Sequence, residues 1–261
     1  GEIDLSIADY SKAIELDSSQ HFVFLYRGSL YHQIKEYDLA INDFLNAIQI
    51  NPSDINCYLL SGTTFGAVGQ LDSAIMAFTK ALEIDPNHIL CLWQRGTIFN
   101  QKELYDQAIS DFGDLLNVDA NHAEAYNSRG NAFRYSGKID LAISDFTKAI
   151  TIDPKKCGYF RNRGVVYGLK QEYDLAIKDL TTAIALNPND ANTYFGRGTI
   201  YHETDEFELA IADYTFAIQC DPTYATAYYN RYAAPSQLGN DDQASVDREK
   251  SEQLGFVPPS I

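Results

Sequence analysis

Only 20 lysines and arginines stand against 36 aspartates and glutamates in the 261 residues, and there is one tryptophan and one methionine. The resulting net charge of −16 argues against general nucleic-acid binding, which needs cations to neutralise phosphates. It argues equally against a polybasic membrane surface. Long hydrophobic runs are missing too. A run such as Ile89 to Trp93 is far short of the ~20 residues that cross a bilayer, so no membrane insertion is expected. Cys57, Cys91, Cys157 and Cys220 form no Cys-x-x-Cys pair and have no histidine at zinc spacing. They read as small semi-buried hydrophobes. No P-loop, Gly-x-Gly-x-x-Gly, His-Glu-x-x-His or Gly-x-Ser-x-Gly occurs, and the five histidines are scattered. The expectation is a chain that is not an enzyme and uses no cofactor and no metal. Nothing resembles a signal peptide, which leaves the cytoplasm as the expected compartment. The chain opens at Gly1 inside an amphipathic helical pattern, so we expect the natural N-terminus to lie further upstream.

What is abundant is Tyr and Phe, 32 together, and they fall on a grid. Arg-Gly occurs at 27, 95, 129, 163 and 197, with Ser61-Gly62 filling the gap, always 34 residues apart. Asp/Asn-Pro occurs at 51, 85, 153, 187 and 221, while Asp17-Ser18 and Asp119-Ala120 keep the spacing without the proline. Counting slots from His21 gives six full units, 21–54, 55–88, 89–122, 123–156, 157–190 and 191–224. Residues 1–20 are the second helix of a truncated unit, and 225–258 are a degenerate seventh with a polar C-terminal capping helix. In that last unit Pro235 should bend or end the first helix, and a second helix is expected over 240–254.

Each unit reads as two helices of ~14 residues, because apolar residues recur at i, i+3, i+4 and i+7. A break falls near slots 15–16, and the residue before proline ends the second helix. Small residues at slots 8, 20 and 27 let the two helices approach closely. Aromatic residues at slots 4, 11, 17 and 24 account for 22 of the 32 Tyr and Phe, so the aromatic excess is core. Slot 7 carries Arg and slot 23 Asp, except in unit 55–88, where Ser61 and Ala77 lose both together. Joint loss predicts an Arg–Asp pair within each unit, bridging its two helices.

The pattern aromatic-x2-Arg-Gly-x2-Tyr/Phe, then Ala-x3-Phe, then Pro resembles the tetratricopeptide repeat. It departs from the family where Arg stands at slot 7, a position more often Leu. The resemblance implies an all-α, right-handed solenoid of tandem 34-residue helix-turn-helix repeats. It also implies a concave groove, lined by slots 2, 5, 9 and 12 of the first helices, that binds a peptide or helix of a partner protein. Two zones of that face stand out. Leu25, Leu59, Leu90 and Trp93 make an apolar stretch, with Trp93 placed as an anchor. Asn100, Asn127, Asn131, Arg134, Arg161 and Asn162 make a polar and cationic zone suited to a carboxylate and an extended backbone, with Phe195 beyond it. The chaperone-tail type of clamp is not matched, since Asn127, Phe195 and Thr199 stand where it needs its cations.

The leading expectation is therefore a non-catalytic protein–protein interaction scaffold. Two rivals are a self-assembling protein, forming homo-oligomers through an open N-terminal edge, and a regulatory arm of a larger enzyme. Charge sharpens the first. Residues 129–178 carry a local +5 against −21 for the rest, which points to an acidic or carboxylate-bearing partner segment there, and not to nucleic acid.

Overall fold

The computed structural model describes residues 1–234 and 241–257. Within them are fifteen α-helices and no strand. After α1 (Glu2–Leu16) the helices come in pairs. These are α2 (His21–Gln33) with α3 (Tyr37–Ile50), α4 (Ile55–Ala67) with α5 (Leu71–Ile84), and α6 (Ile89–Gln101) with α7 (Tyr105–Val118). There follow α8 (Ala123–Tyr135), α9 (Ile139–Ile152), α10 (Cys157–Leu169), α11 (Tyr173–Leu186), α12 (Ala191–Glu203) and α13 (Phe207–Cys220). The last two are α14 (Ala225–Ala233) and α15 (Asp241–Gln253); Pro235 and Asn240 lie outside the described residues. The chain forms two compact units, residues 1–132 and 133–261. In each, a helix packs on the next in sequence, and the first helices also touch one another: α2 on α4, α4 on α6, and α10 on α12. That contact puts the first helices on the inner side of each stack. No helix among the described residues is long and apolar enough to cross a membrane.

Local chemistry explains the regular helix ends. Each second helix stops at an Asp or Asn in extended geometry whose side-chain Oδ1 accepts the N–H two residues on. This happens at Asp17, Asn51, Asp85, Asp119, Asp153, Asn187 and Asp221. The turn forms with or without the following proline, so the Asp or Asn is the common stop signal and proline reinforces it. Each first helix ends instead with a left-handed residue at slot 15: Lys35, Gly69, Glu103, Gly137, Gln171 and Asp205. The next N–H then reaches back five residues, as from Glu36 to the Tyr31 carbonyl at 2.9 Å.

The core sits between the helices of each pair. Ala40, Ala74, Ala108, Ala142, Ala176 and Ala210 are fully buried, and so are Phe44, Phe112, Phe146 and Tyr214. Glycine at slot 8 is required by close approach. A Cβ on Gly28, Gly62 or Gly198 would sit 2.8–2.9 Å from the ring of Phe44, Phe78 or Tyr214.

Bidentate Arg–Asp pairs bridge the pairs as expected. They are Arg27–Asp43, Arg95–Asp111, Arg163–Asp179, Arg197–Asp213 and Arg231–Asp247, all at 2.6–2.9 Å. The aspartates are at most 5% exposed. A third partner joins each pair. The remaining guanidinium nitrogen donates to a hydroxyl on the preceding helix: Ser11, Thr79, Thr147, Thr181 or Thr215. The clamp therefore ties each helix pair to the helix before it. Before Ser61, where the arginine is missing, the hydroxyl position holds Leu45. The aspartate bonds push Arg27, Arg163 and Arg197 further toward their charged form.

Candidate functional site

In each unit the inner face is built from slots 2, 5, 9 and 12 of the first helices, and the faces of the two units differ. In unit 1 most of the expected apolar stretch is used internally. Leu25 is a correction: it is 8% exposed, inside the core cluster of Phe24, Ala40, Phe44 and Cys57, and offers no surface to a partner. Leu59 is half-buried against the next cluster, which includes Phe78 and Leu92. Trp93 is also half-buried, stacked on His122 at 5.2 Å and tilted against Phe112 at 5.6 Å. Leu90 remains exposed. Asn100 donates from Nδ2 to the Ser128 carbonyl at 3.1 Å, while its Oδ1 is buried with no hydrogen-bond partner. Asn127 and Asn131 are half-buried in the same unit.

Slot 5 follows a rule that the sequence pattern does not announce. In three repeats its side chain meets slot 34 at the end of its own repeat. Trp93 meets His122 in unit 1, and in unit 2 Arg161 meets Asp190 and Phe195 meets Tyr224. Slot 34 also caps the following first helix. His88 and His122 accept the N–H of Cys91 and Ala125 through Nδ1, and Asp54 and Asp190 accept those of Asn56 and Asn192. The repeated histidines are thus helix caps. Among the described residues no group of three His, Cys, Asp or Glu side chains could hold a metal ion. All four cysteines are free. Burial pushes the thiols of Cys57 and Cys91 up to about 12, which makes them inert, whereas Cys220 is exposed.

Unit 2 holds a cleft of about 580 Å³ on its inner face. Arg134, Arg161, Asn162 and Phe195, all expected at the site, line it. Val165, Leu169, Ile200 and Thr199 add an apolar wall, and Gln171, Asn192 and Glu203 a polar rim. The cleft exists because side-chain volume is missing. Gly168 and Gly196 line it, and Ile200 Cδ1 would lie 2.5 Å from a Cβ on Gly168. A Cβ on Gly196 would meet only Leu180 and Val165, at 3.6–4.0 Å, so there is room. Phe195 forms part of the lining, held by ring contacts to Tyr224 at 4.9 Å and Tyr214 at 5.7 Å. Gly168 stands at slot 12 and Gly196 at slot 6, and only helix packing distinguishes the roomy Gly196 from the closely packed glycines of slot 8.

The two arginines of the cleft are in different states. Arg161 is committed: one guanidinium nitrogen is 2.6 Å from Asp190. Burial alone would raise the Asp190 carboxyl, but bonds from Thr193, Arg161 and the Asn192 N–H outweigh it and hold the group below the usual carboxylate value. Arg134 makes no ion pair among the described residues, and its Nε is buried without a hydrogen-bond partner. Its guanidinium carbon lies 4.3 Å from the Tyr135 ring centroid, which offsets part of that loss. At the opposite rim Tyr173 donates to Glu203 at 3.2 Å.

Fold and face together define a helical-repeat protein, and comparison with known proteins agrees. Models of the tetratricopeptide repeat match residues 27–54, 55–88, 123–156 and 191–224, and a TPR repeat model matches 169–205. The chain belongs to the tetratricopeptide repeat family, whose members are generally non-catalytic scaffolds for protein interaction. A tetratricopeptide repeat protein from Parabacteroides merdae ATCC 43184 is similar in structure, with a TM-score of 0.75 at 20% identity, over 90% of this chain and 93% of that one. YrrB, described as a TPR protein with an unusual peptide-binding site, gives a TM-score of 0.65 at 23% identity, over 70% of this chain and 95% of that one. A chain of the APC/C hetero-tetramer Cut9–Hcn1 gives 0.69 at 19%, over 98% of this chain and 50% of that one. No curated protein matches the sequence.

Proposed function

We propose that the chain is a non-catalytic scaffold that holds an extended segment of a partner protein on its inner faces, with the cleft of unit 2 as the main site. The cleft carries this reading: it lies on the first-helix face and combines an apolar wall with an arginine that lacks a counter-ion. Leu59, Leu90 and Trp93, with Asn100, Asn127 and Asn131, lie on the inner face of unit 1. YrrB's peptide-binding description and the family's general role support the reading. The test is selection of a random peptide library on the full chain and on Gly196→Leu, which fills the cleft without touching a charged group. Peptides held by the wild type and released by the variant support the proposal. Equal capture by both removes the cleft as the site.

A second reading is self-association, favoured by one observation. At slot 30 Ile50, Ile84, Val118, Ile152 and Leu186 are 37–44% exposed, but Leu16 in α1 is 81% exposed and Leu5 beside it 69%. Light scattering at rising concentration, with Leu5→Glu/Leu16→Glu as the control, decides it: a mass that stays at one chain throughout ends this reading.

A further inference from the structure

The positive stretch of residues 129–178 is less free than its +5 charge suggests. Arg163 is bound to Asp179, Arg161 to Asp190, and Lys170 to both Asp140 and Glu172. Arg129 and Lys138 are engaged as well. Lys148, Lys155, Lys156 and Lys178 are exposed and do not line the cleft. Within the cleft this leaves Arg134, half-buried, with no carboxylate beside it. Its Nε is buried without an acceptor while the residue is only half-buried, and an incoming carboxylate supplies the missing acceptor through a charge-assisted bond.

We infer that this cleft reads one large apolar side chain flanked by a single acidic side chain, a specificity that rests on the peptide-binding reading above. The apolar side chain occupies the hollow at Gly196, against Val165, Phe195 and Ile200. The acid meets Arg134. A second acid is disfavoured, because Arg161 already has its counter-ion and Glu203 adds negative charge at the other rim. Asn192 can hold the backbone: its Oδ1 accepts from Tyr224 at 3.1 Å, which leaves Nδ2 to donate to a peptide carbonyl. The occupant is therefore an internal apolar–acidic pair in an extended segment, and a run of acids fits poorly.

The experiment selects peptides from a random library on the full chain and then measures affinities of an enriched peptide by calorimetry. Enriched peptides should carry Phe, Trp, Leu or Met next to one Asp or Glu. Changing that acid to its amide should weaken wild-type binding about tenfold or more, the scale of a charge-assisted hydrogen bond. The same change should alter binding to Arg134→Gln by less than about twofold. Gly196→Leu should lose both preferences. If it folds poorly by circular dichroism, Gly196→Ala, whose added Cβ makes only ordinary contacts, should weaken binding in the same direction with smaller amplitude. Enriched peptides without the apolar–acidic pair overturn this inference and leave the scaffold reading standing. So does an acid-to-amide penalty as large in Arg134→Gln as in the wild type. Failure to enrich any peptide over the Gly196→Leu control overturns both.

Discussion

On the inner face of unit 1 slot 5 holds Leu25, Leu59, Trp93 and Asn127; in unit 2 it holds Arg161, Phe195 and Tyr229, with Gly168 and Gly196 lining the cleft. Both units keep the same small residues between the helices of each pair, so their backbones repeat. Their inner faces differ in side-chain volume. In unit 1 large side chains fold into the seam between repeats, with Trp93 stacked on His122. In unit 2 a cleft of about 580 Å³ opens beside Gly196, while Ile200 fills the space at Gly168. Recognition surfaces in such an array can therefore arise by subtraction: the packing slots fix the frame, and an inner slot that loses its side chain opens a site.

The largest effect should come from the clamps, which the two units use unequally. Unit 1 contains a repeat without one, where Ser61, Ala77 and Leu45 replace all three partners. The clamp is thus dispensable when removed whole. Removing half of it should not be tolerated. Asp213→Ala strands Arg197 in a site where the carboxylate is 3% exposed, and should cost about 3–5 kcal/mol. Arg197→Ser/Asp213→Ala copies the natural gap of unit 1 and should recover a large part of that loss. Urea denaturation of the full chain measures both, and a double variant as unstable as the single one would show that the two residues are not coupled.

Glycine substitutions sharpen the contrast next, because unit 2 holds both kinds of glycine. A Cβ on Gly164 would lie 2.9 Å from Leu180 and 3.2 Å from the Ala176 carbonyl. Gly164→Ala should destabilise by about 1–3 kcal/mol through overpacking. Gly196→Ala meets no such obstacle and should stabilise α12 by up to about 1 kcal/mol through helix propensity. Thermal midpoints that move in the same direction would dissolve the distinction between frame and cleft.

The seams differ in chemistry as well as volume. Trp93 in unit 1 is held by a ring stack, Arg161 in unit 2 by Asp190. The folded-state pKa of Asp190 is held below its ordinary value of 3.8, so its contribution is present above that pH and is lost as pH falls through the lower, folded value. The stability advantage of wild type over Asp190→Asn should be full near pH 6 and shrink as pH falls below about 4. An advantage that is constant down to pH 2 would contradict the ion pair's role.

Much of the frame was legible because it repeats. The joint replacement of Arg by Ser61 and of Asp by Ala77 marks the Arg–Asp pair in the sequence, and the 34-residue grid marks the helices. The third clamp partner was written at the same period, with Leu45 and Gly113 as its exceptions, but only the approach of consecutive repeats explains it. Proline drew attention away from the Asp or Asn before it, which makes the turn at Asp17 and Asp119 unaided. The inner face was harder. Leu25 and Trp93 look alike in a face assignment, yet Leu25 joins the core cluster of Phe24, Phe44 and Cys57 while Trp93 stacks on His122 in a half-buried seam. The +5 charge was real, but two of its arginines are paired with acids outside the stretch, Arg163 with Asp179 and Arg161 with Asp190, 29 positions on.

The smallest predicted effect is one in which the units should not differ at all. Slot 15 is left-handed in both, at Gly69 and Glu103 in unit 1 and at Gly137 and Asp205 in unit 2. L-residues pay for that geometry in steric strain, about 1–2 kcal/mol, partly offset because glycine is freer in the unfolded chain. Glu103→Gly and Asp205→Gly should each stabilise by about 0.5 kcal/mol, while Gly69→Ala and Gly137→Ala should each destabilise by about 1 kcal/mol. None of the four positions lines the cleft, so peptide capture should be unchanged. Thermal midpoints of the four variants test this. A response that separated by unit, and not by residue type, would mean that the helix-pair turn is part of what distinguishes the hollow face from the filled one.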